Sequence, residues 1–210
     1  MLRHPSLVQI PEAQLIERLT ADPHWRSYLL GIKSIASNVV PFRSVPFPDL
    51  PGEPQGDVDL LLNVPGRPDL ATAVEAKRIK VGAAALRDRR PNKLHEFREG
   101  VRQANLLAKI GFSQVYLFVF VVVDSREQNG GRITYDGLPA DLASMTSGFI
   151  SPLGLDQRIG LIYYELVQPM DDEPLGTGMY GGHLIRLAEP SVQPKEVTAW
   201  VARVTSAGAP

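Results

Sequence analysis

Asp59, Glu75 and Lys77 are the residues whose types and spacing point most directly to chemistry. Asp59 lies in Val58-Asp59-Leu60-Leu61-Leu62, a short apolar run of strand character. Glu75 and Lys77 lie in a second such run, Ala73-Val74-Glu75-Ala76-Lys77. Between them, Asn63-Val64-Pro65-Gly66-Arg67-Pro68 carries the residue types that reverse a chain. A hairpin built on that turn brings Asp59 alongside Glu75. Residues two apart on a strand share a face, so Glu75 and Lys77 project together while Ala76 points away. Two carboxylates and an ammonium converging at the end of a sheet suit magnesium-dependent attack on a phosphodiester. The acids hold a hard cation, and the lysine adds a fixed positive charge near the phosphoryl oxygens.

These residues carry a resemblance. An acid after a glycine on an apolar strand, a turn, then Glu75-Ala76-Lys77 on the next strand resembles the PD-(D/E)xK nucleases, the restriction-endonuclease-like superfamily. Asp59 takes the place of the acid and Glu75-Ala76-Lys77 that of the E-x-K, while Val58 stands where the family usually has proline. The resemblance implies a nuclease that hydrolyses DNA by direct water attack, with RNA as the alternative substrate. It implies Mg²⁺, or Mn²⁺ in its place, held by Asp59, Glu75 and the backbone carbonyl of Ala76. Lys77 is then the residue that orients water or stabilises the transition state. Asp57, two residues before Asp59 and on the same face of a regular strand, is a second metal ligand, the principal acid, or a solvent-facing strand end. Relatives often add an acid from the first helix, for which Glu12 is the better match, and a glutamine from a later helix, for which Gln103 is the matching type. A non-cleaving nucleic-acid or protein adaptor on the same fold is the rival reading. Many relatives act as dimers, so a homodimer or a partner protein is compatible with the resemblance.

The elements that must position these residues can be read from periodicity. A helix is expected from Pro11 to Leu19 or beyond, with Val8, Leu15, Ile16 and Leu19 on one stripe. Glu12 falls on that stripe and Glu17 opposite. An acid there is paired, binds a metal, or sits at the helix start, where the dipole favours it. Trp25, Tyr28, Leu29 and Ile32 form a second amphipathic segment. The prolines from Pro41 to Pro54 then predict an extended loop or an edge strand.

A long helix is expected from Asn92 to Ile110, closed by Gly111, with Leu94, Phe97, Val101, Ala104 and Ala108 packing. His95, Arg98, Arg102, Asn105 and Lys109 form a separate basic stripe without acids, fit either to meet phosphates or to face solvent. Gln103 lies away from both stripes. Val115 to Val123 is an unbroken apolar run and predicts a strand buried on both faces. Strand, helix, strand is the order of a crossover unit. Further on, Gly137 to Ser147 suggests a short helix, Arg158 to Val167 and Met179 to Leu187 suggest paired strands, and Pro194 to Val204 a closing helix.

The fold class expected is α/β: a restriction-endonuclease-like α/β/α core with a mixed central sheet flanked by helices, and a C-terminal strand-and-helix extension. One domain spans 1–210, with the core at about 8–125 and the extension at about 126–205. Hydrophobic residues at 44% and charged residues at 21% are those of a globular chain. No run has the length of a membrane span and no secretory leader is evident, so no membrane partner and a cytoplasmic location are expected. Without cysteine, disulfides, thiolate metal sites and a cysteine nucleophile are excluded.

A net charge of −1 gives no global attraction to nucleic acid, so binding must come from a local patch. The candidates are Arg78 and Lys80, followed by Arg87, Arg89, Arg90 and Lys93, and the helical Arg98, Arg102 and Lys109. His4, His24, His95 and His183 have no close metal-ligand spacing. Ser113 and Ser125 lack the setting of a hydrolase nucleophile. The glycine-rich Gly176 to Gly182 lacks a phosphate-binding lysine and reads as a turn.

Overall fold

A computed structural model describes residues 6–24, 26–27, 39–48, 56–82, 84, 96–127, 154–171 and 179–207. Six strands form a single mixed sheet in sequential order: β1 (Val40–Pro46), β2 (Asp57–Val64), β3 (Arg67–Val81), β4 (Gln114–Asp124), β5 (Gly160–Gln168) and β6 (Met179–Arg186). The β1–β2, β2–β3 and β5–β6 pairs are antiparallel, and β3–β4 and β4–β5 are parallel. Helices α1 (Glu12–Ala21), α2 (Glu96–Ile110) and α3 (Lys195–Ala207) pack on it. The chain is thus a mixed α/β fold. No helix among the described residues is long and apolar enough to cross a membrane.

The described start of the proline-rich segment, with Pro41 and Pro46, forms an edge strand, β1, where residues without a donor N–H do least harm, and residues 49–55 lie outside the described residues. β2 turns into β3 through Pro65 and Gly66, with Val64 paired to Arg67 and Gly66 at φ 77°, a value glycine takes without strain. β3 is far longer than the five-residue run that suggested it, because its later part, through Lys80, pairs along β4. β4 lies inside the sheet with Val115 to Val123 buried, as continuous apolarity requires. Each such valine or phenylalanine contributes roughly 1.5–3 kcal/mol by burial, so this strand is the main organiser of the fold.

Alternation along β3 and β4 divides the core in two. Above the sheet, Ala73, Ile79, Leu117, Val119 and Val121 pack with Phe97, Val101, Ala104 and Leu107 of α2 and with Val197, Trp200 and Val201 of α3. Below it, Val74, Ala76, Phe118 and Phe120 pack with Leu15, Ile16 and Leu19 of α1. The stripes expected for the three helices therefore face the sheet. α2 ends at Gly111, whose φ of 98° suits the residue that stops a helix. The C-terminal elements belong to the same body: β5 and β6 extend the sheet, and α3 packs in the upper core. Trp25, Tyr28, Leu29, Ile32, the Arg87–Lys93 cations, Leu94, His95 and the helix expected at Gly137–Ser147 lie outside the described residues.

Candidate active site

The β2–β3 ladder runs down to Leu60–Val74 and stops one residue short of Asp59. On the other side, β1 pairs Arg43 with Leu60 and Val45 with Val58. Ser44, between them and opposite Asp59, has φ 46°, a left-handed value that a residue with a Cβ holds at a cost. The pleat slips at the same point: Val58 and Leu61 belong to the upper core, whereas Leu60 and Leu62 belong to the lower. Asp59 is thereby released from the ladder, and its Oδ2 accepts the Ala76 N–H at 2.8 Å. This slip corrects the expectation that Asp57 shares the face of Asp59. Asp57 is exposed at the strand start, opposite Pro46. Irregularities of this kind re-aim side chains beside functional sites.

Glu75 and Lys77 project from β3 on the upper side, as alternation requires. Glu75 is 1% exposed. Lys77 Nζ stands 2.7 Å from its Oε1, an ion-pair distance, and 3.6 Å from Glu12 Oε1. Glu75 Oε1 is thus compensated by the ammonium, while its Oε2 is buried and receives no hydrogen bond. Glu12 begins α1, which packs below the sheet, whereas the Lys77 stem lies under Gly100 of α2. The Glu12–Lys77 contact therefore bridges the two layers. Glu12 thus stands at the helix start, where the dipole favours an acid, and is also paired with Lys77.

Electrostatics follow from this crowding. Burial pushes Asp59 up to about 6, against the opposing pull of the Ala76 N–H and of Lys77. Burial, with Asp59 beside it, pushes Glu75 up to about 8. Burial alone would lower Lys77, but Glu75 and Glu12 outweigh it and hold the ammonium above the ordinary lysine value. Lys77 is thus a fixed positive charge at neutral pH. Among the described residues no group of three or more histidine or acidic side chains is arranged around one point. A cation here has two carboxylates to hold it and must complete its shell from backbone, water and substrate, which is how Mg²⁺ is commonly bound. The buried Oε2 of Glu75, which receives no hydrogen bond, fits that requirement.

The basic candidates separate into two groups. Arg98, Arg102 and Lys109 are exposed on α2, above the sheet. Arg78 and Lys80 alternate with the upper-core residues Ile79 and Val81, so they project below it. The two groups do not form one surface. Nor is the α2 stripe without acids: Glu99 forks onto Arg102, at 3.0 and 3.1 Å to its Nε. Both side chains are exposed, where solvent screens the pair and it adds little to stability. Asn105 is taken up by the fold, donating to the Gly154 carbonyl and accepting the Asp156 N–H, both at 2.9 Å. Gln103 is partly buried on α2, with an Oε1 that receives no hydrogen bond, and no contact joins it to the acids.

Sequence reading missed Gly100, which has a positional role. A Cβ there would stand 2.3 Å from Lys77 Cγ, so only glycine lets the helix cross the lysine stem. A lone glycine within a helical pattern was the available signal. Gly100→Ala is expected to keep the fold and displace Lys77, with a loss of roughly 1–3 kcal/mol from overpacking. Urea unfolding and Lys77-dependent activity, measured on the same preparation, check this.

No family model matches the chain, and no curated protein matches it. Among solved structures, the chain is similar to a protein of unknown function from Silicibacter pomeroyi, at 13% identity and a TM-score of 0.43. That match covers 95% of this chain and 88% of the other.

Proposed function

We propose that this chain is a metal-dependent nuclease that hydrolyses DNA phosphodiester bonds, on a restriction-endonuclease-like variant of the α/β fold. One observation carries the reading: Glu75 is buried beside Asp59, ion-paired to Lys77 through Oε1, with an Oε2 that receives no hydrogen bond. Two acids crowded in one buried place are costly to ionise together, a cost that a bound cation would offset. The order of helix, acid-bearing hairpin, helix and parallel strand supports the same fold.

Asp59 and Glu75 would hold the cation, and the Ala76 carbonyl would add a neutral ligand. Mg²⁺ or Mn²⁺ bound there supplies positive charge to the phosphoryl oxygens and acidifies water. Lys77 orients the attacking water and stabilises charge on the phosphate as it becomes pentavalent. Glu12 keeps the ammonium charged and in place. Water adds to phosphorus and gives up a proton to solvent, one ester P–O bond breaks, and the leaving oxygen takes a proton from solvent, so no covalent intermediate on the chain is needed. Arg98 and Arg102, on the same side of the sheet as Lys77, are placed to meet the DNA backbone.

The test is incubation of linear, circular and single-stranded DNA, and of RNA, with Mg²⁺, Mn²⁺ or EDTA, beside Glu75→Ala. Cleavage that requires metal and disappears in the variant is expected. Binding of DNA without cleavage under any metal would instead favour the adaptor.

A further inference from the structure

The first turn of α1, which carries Glu12, has no side-chain cap. Its N-cap is Pro11, which makes no capping hydrogen bond. Helix ends of this kind fray unless something else holds them. The segment before it is held in an unusual way. Ser6 Oγ donates to Asp124 Oδ2, and the Leu7 N–H donates to Gln168 Oε1 at 2.7 Å. These acceptors stand at the C-terminal ends of β4 and β5, far along the chain from the helix they restrain. Gln168 is 0% exposed, and its own carbonyl accepts the Ser125 N–H at 3.1 Å. Asp124 is steadied by the Arg126 guanidinium, at 2.7 and 2.9 Å, and Arg126 reaches on to Asp171 at 2.8 Å. Leu7 and Ile10 are buried in the lower core between these anchors and the helix.

The segment from Ser6 to Pro11 is therefore a strap, fastened at one end by buried polar contacts and leading directly into Glu12, which touches Lys77. We propose that Ser6, Asp124 and Gln168 are positioning residues that, through this strap, fix Glu12 against Lys77 at the acidic pair. None of them touches the acids, and they act only through Glu12. The proposal rests on reading the acidic pair as an active site, but its geometric content can be measured without activity.

The experiment uses Ser6→Ala and Gln168→Met, each alone and combined with Glu12→Gln, in the full-length protein. Acetylation of Lys77 is followed by mass spectrometry in EDTA, and DNA cleavage is followed with metal. Loosening the strap is expected to raise Lys77 acetylation severalfold, as Glu12→Gln does. It should lower kcat about tenfold, the scale of a misplaced catalytic group, with KM unchanged. The double variants should match Glu12→Gln alone. Unchanged acetylation in both single variants, or losses that add to those of Glu12→Gln, overturns the proposal, because a purely structural role lowers the unfolding midpoint without coupling to Glu12. Should Gln168→Met fail to fold, Ser6→Ala decides, since it removes one hydroxyl and leaves Leu7 and Ile10 packed. If the wild type cleaves nothing, the nuclease reading falls while the acetylation comparison still judges the strap.

Discussion

Glu75→Gln is expected to abolish metal-dependent cleavage while making the EDTA-treated protein more stable at alkaline pH. Both effects have one cause. In the folded chain burial and the neighbouring Asp59 raise Glu75 from 4.5 to about 8, so folding favours its protonated form. An acid raised in this way contributes stability that is complete below its unfolded value of 4.5 and is lost as pH climbs through about 8. Asp59 acts in the same direction over a lower window, with the loss complete beyond about 6. Glutamine reproduces the protonated carboxyl and cannot ionise, so the variant keeps what the wild type loses. The difference should be on the order of 2 kcal/mol near pH 9 and close to nothing near pH 5. Urea midpoints across this range check it. Added Mg²⁺ should restore the wild type at alkaline pH and leave the variant unmoved, because binding to the folded state requires the ionised acid. A variant that loses stability in parallel with the wild type would show that the slope arises elsewhere.

Lys77→Ala is expected to lower kcat by about 10²- to 10³-fold, the scale of removing one fixed charge from a developing oxyanion, with DNA binding retained. Single-turnover cleavage at saturating metal, beside fluorescence anisotropy with labelled DNA, separates the two steps. Lys77→Arg should not restore the rate. The stem crosses under Gly100 with no spare room, and a planar guanidinium cannot replace a compact ammonium there. Because Glu75 and Glu12 hold the lysine charged, the rate should show no rise assigned to its deprotonation below pH 9. A loss of less than about threefold in Lys77→Ala would remove the lysine from the transition state.

The hairpin, its turn, the buried strand and the three helices were legible because each follows from local periodicity and punctuation. The convergence of Asp59, Glu75 and Lys77 was legible for the same reason, since a two-residue repeat fixes which side chains share a face. The slip of the pleat at Asp59 was not. It coincides with the left-handed backbone of Ser44, opposite Asp59 on another strand, which no pattern in either strand signals. That one irregularity separates Asp57 from Asp59, which regular alternation had placed together. The position of Glu12 at the start of the first helix was legible, but its contact with Lys77 was not, because it depends on how two layers meet across the sheet. The partners of the basic stripe on α2 were not legible either. Glu99 lies one helical turn from Arg102, and Asn105 spends its amide on the loop before β5. The strap that fastens Ser6 to Asp124 joins residues more than a hundred positions apart, and no local pattern encodes such a contact.

The most direct test of the two-carboxylate centre is an anomalous difference map from crystals of the protein soaked in Mn²⁺. A peak between the Asp59 and Glu75 carboxylates, with Lys77 moved off Glu75 Oε1 and no peak in Glu75→Gln crystals, is the predicted result. Well-ordered wild-type side chains with no peak between them, and Lys77 still seated on Glu75, would contradict it.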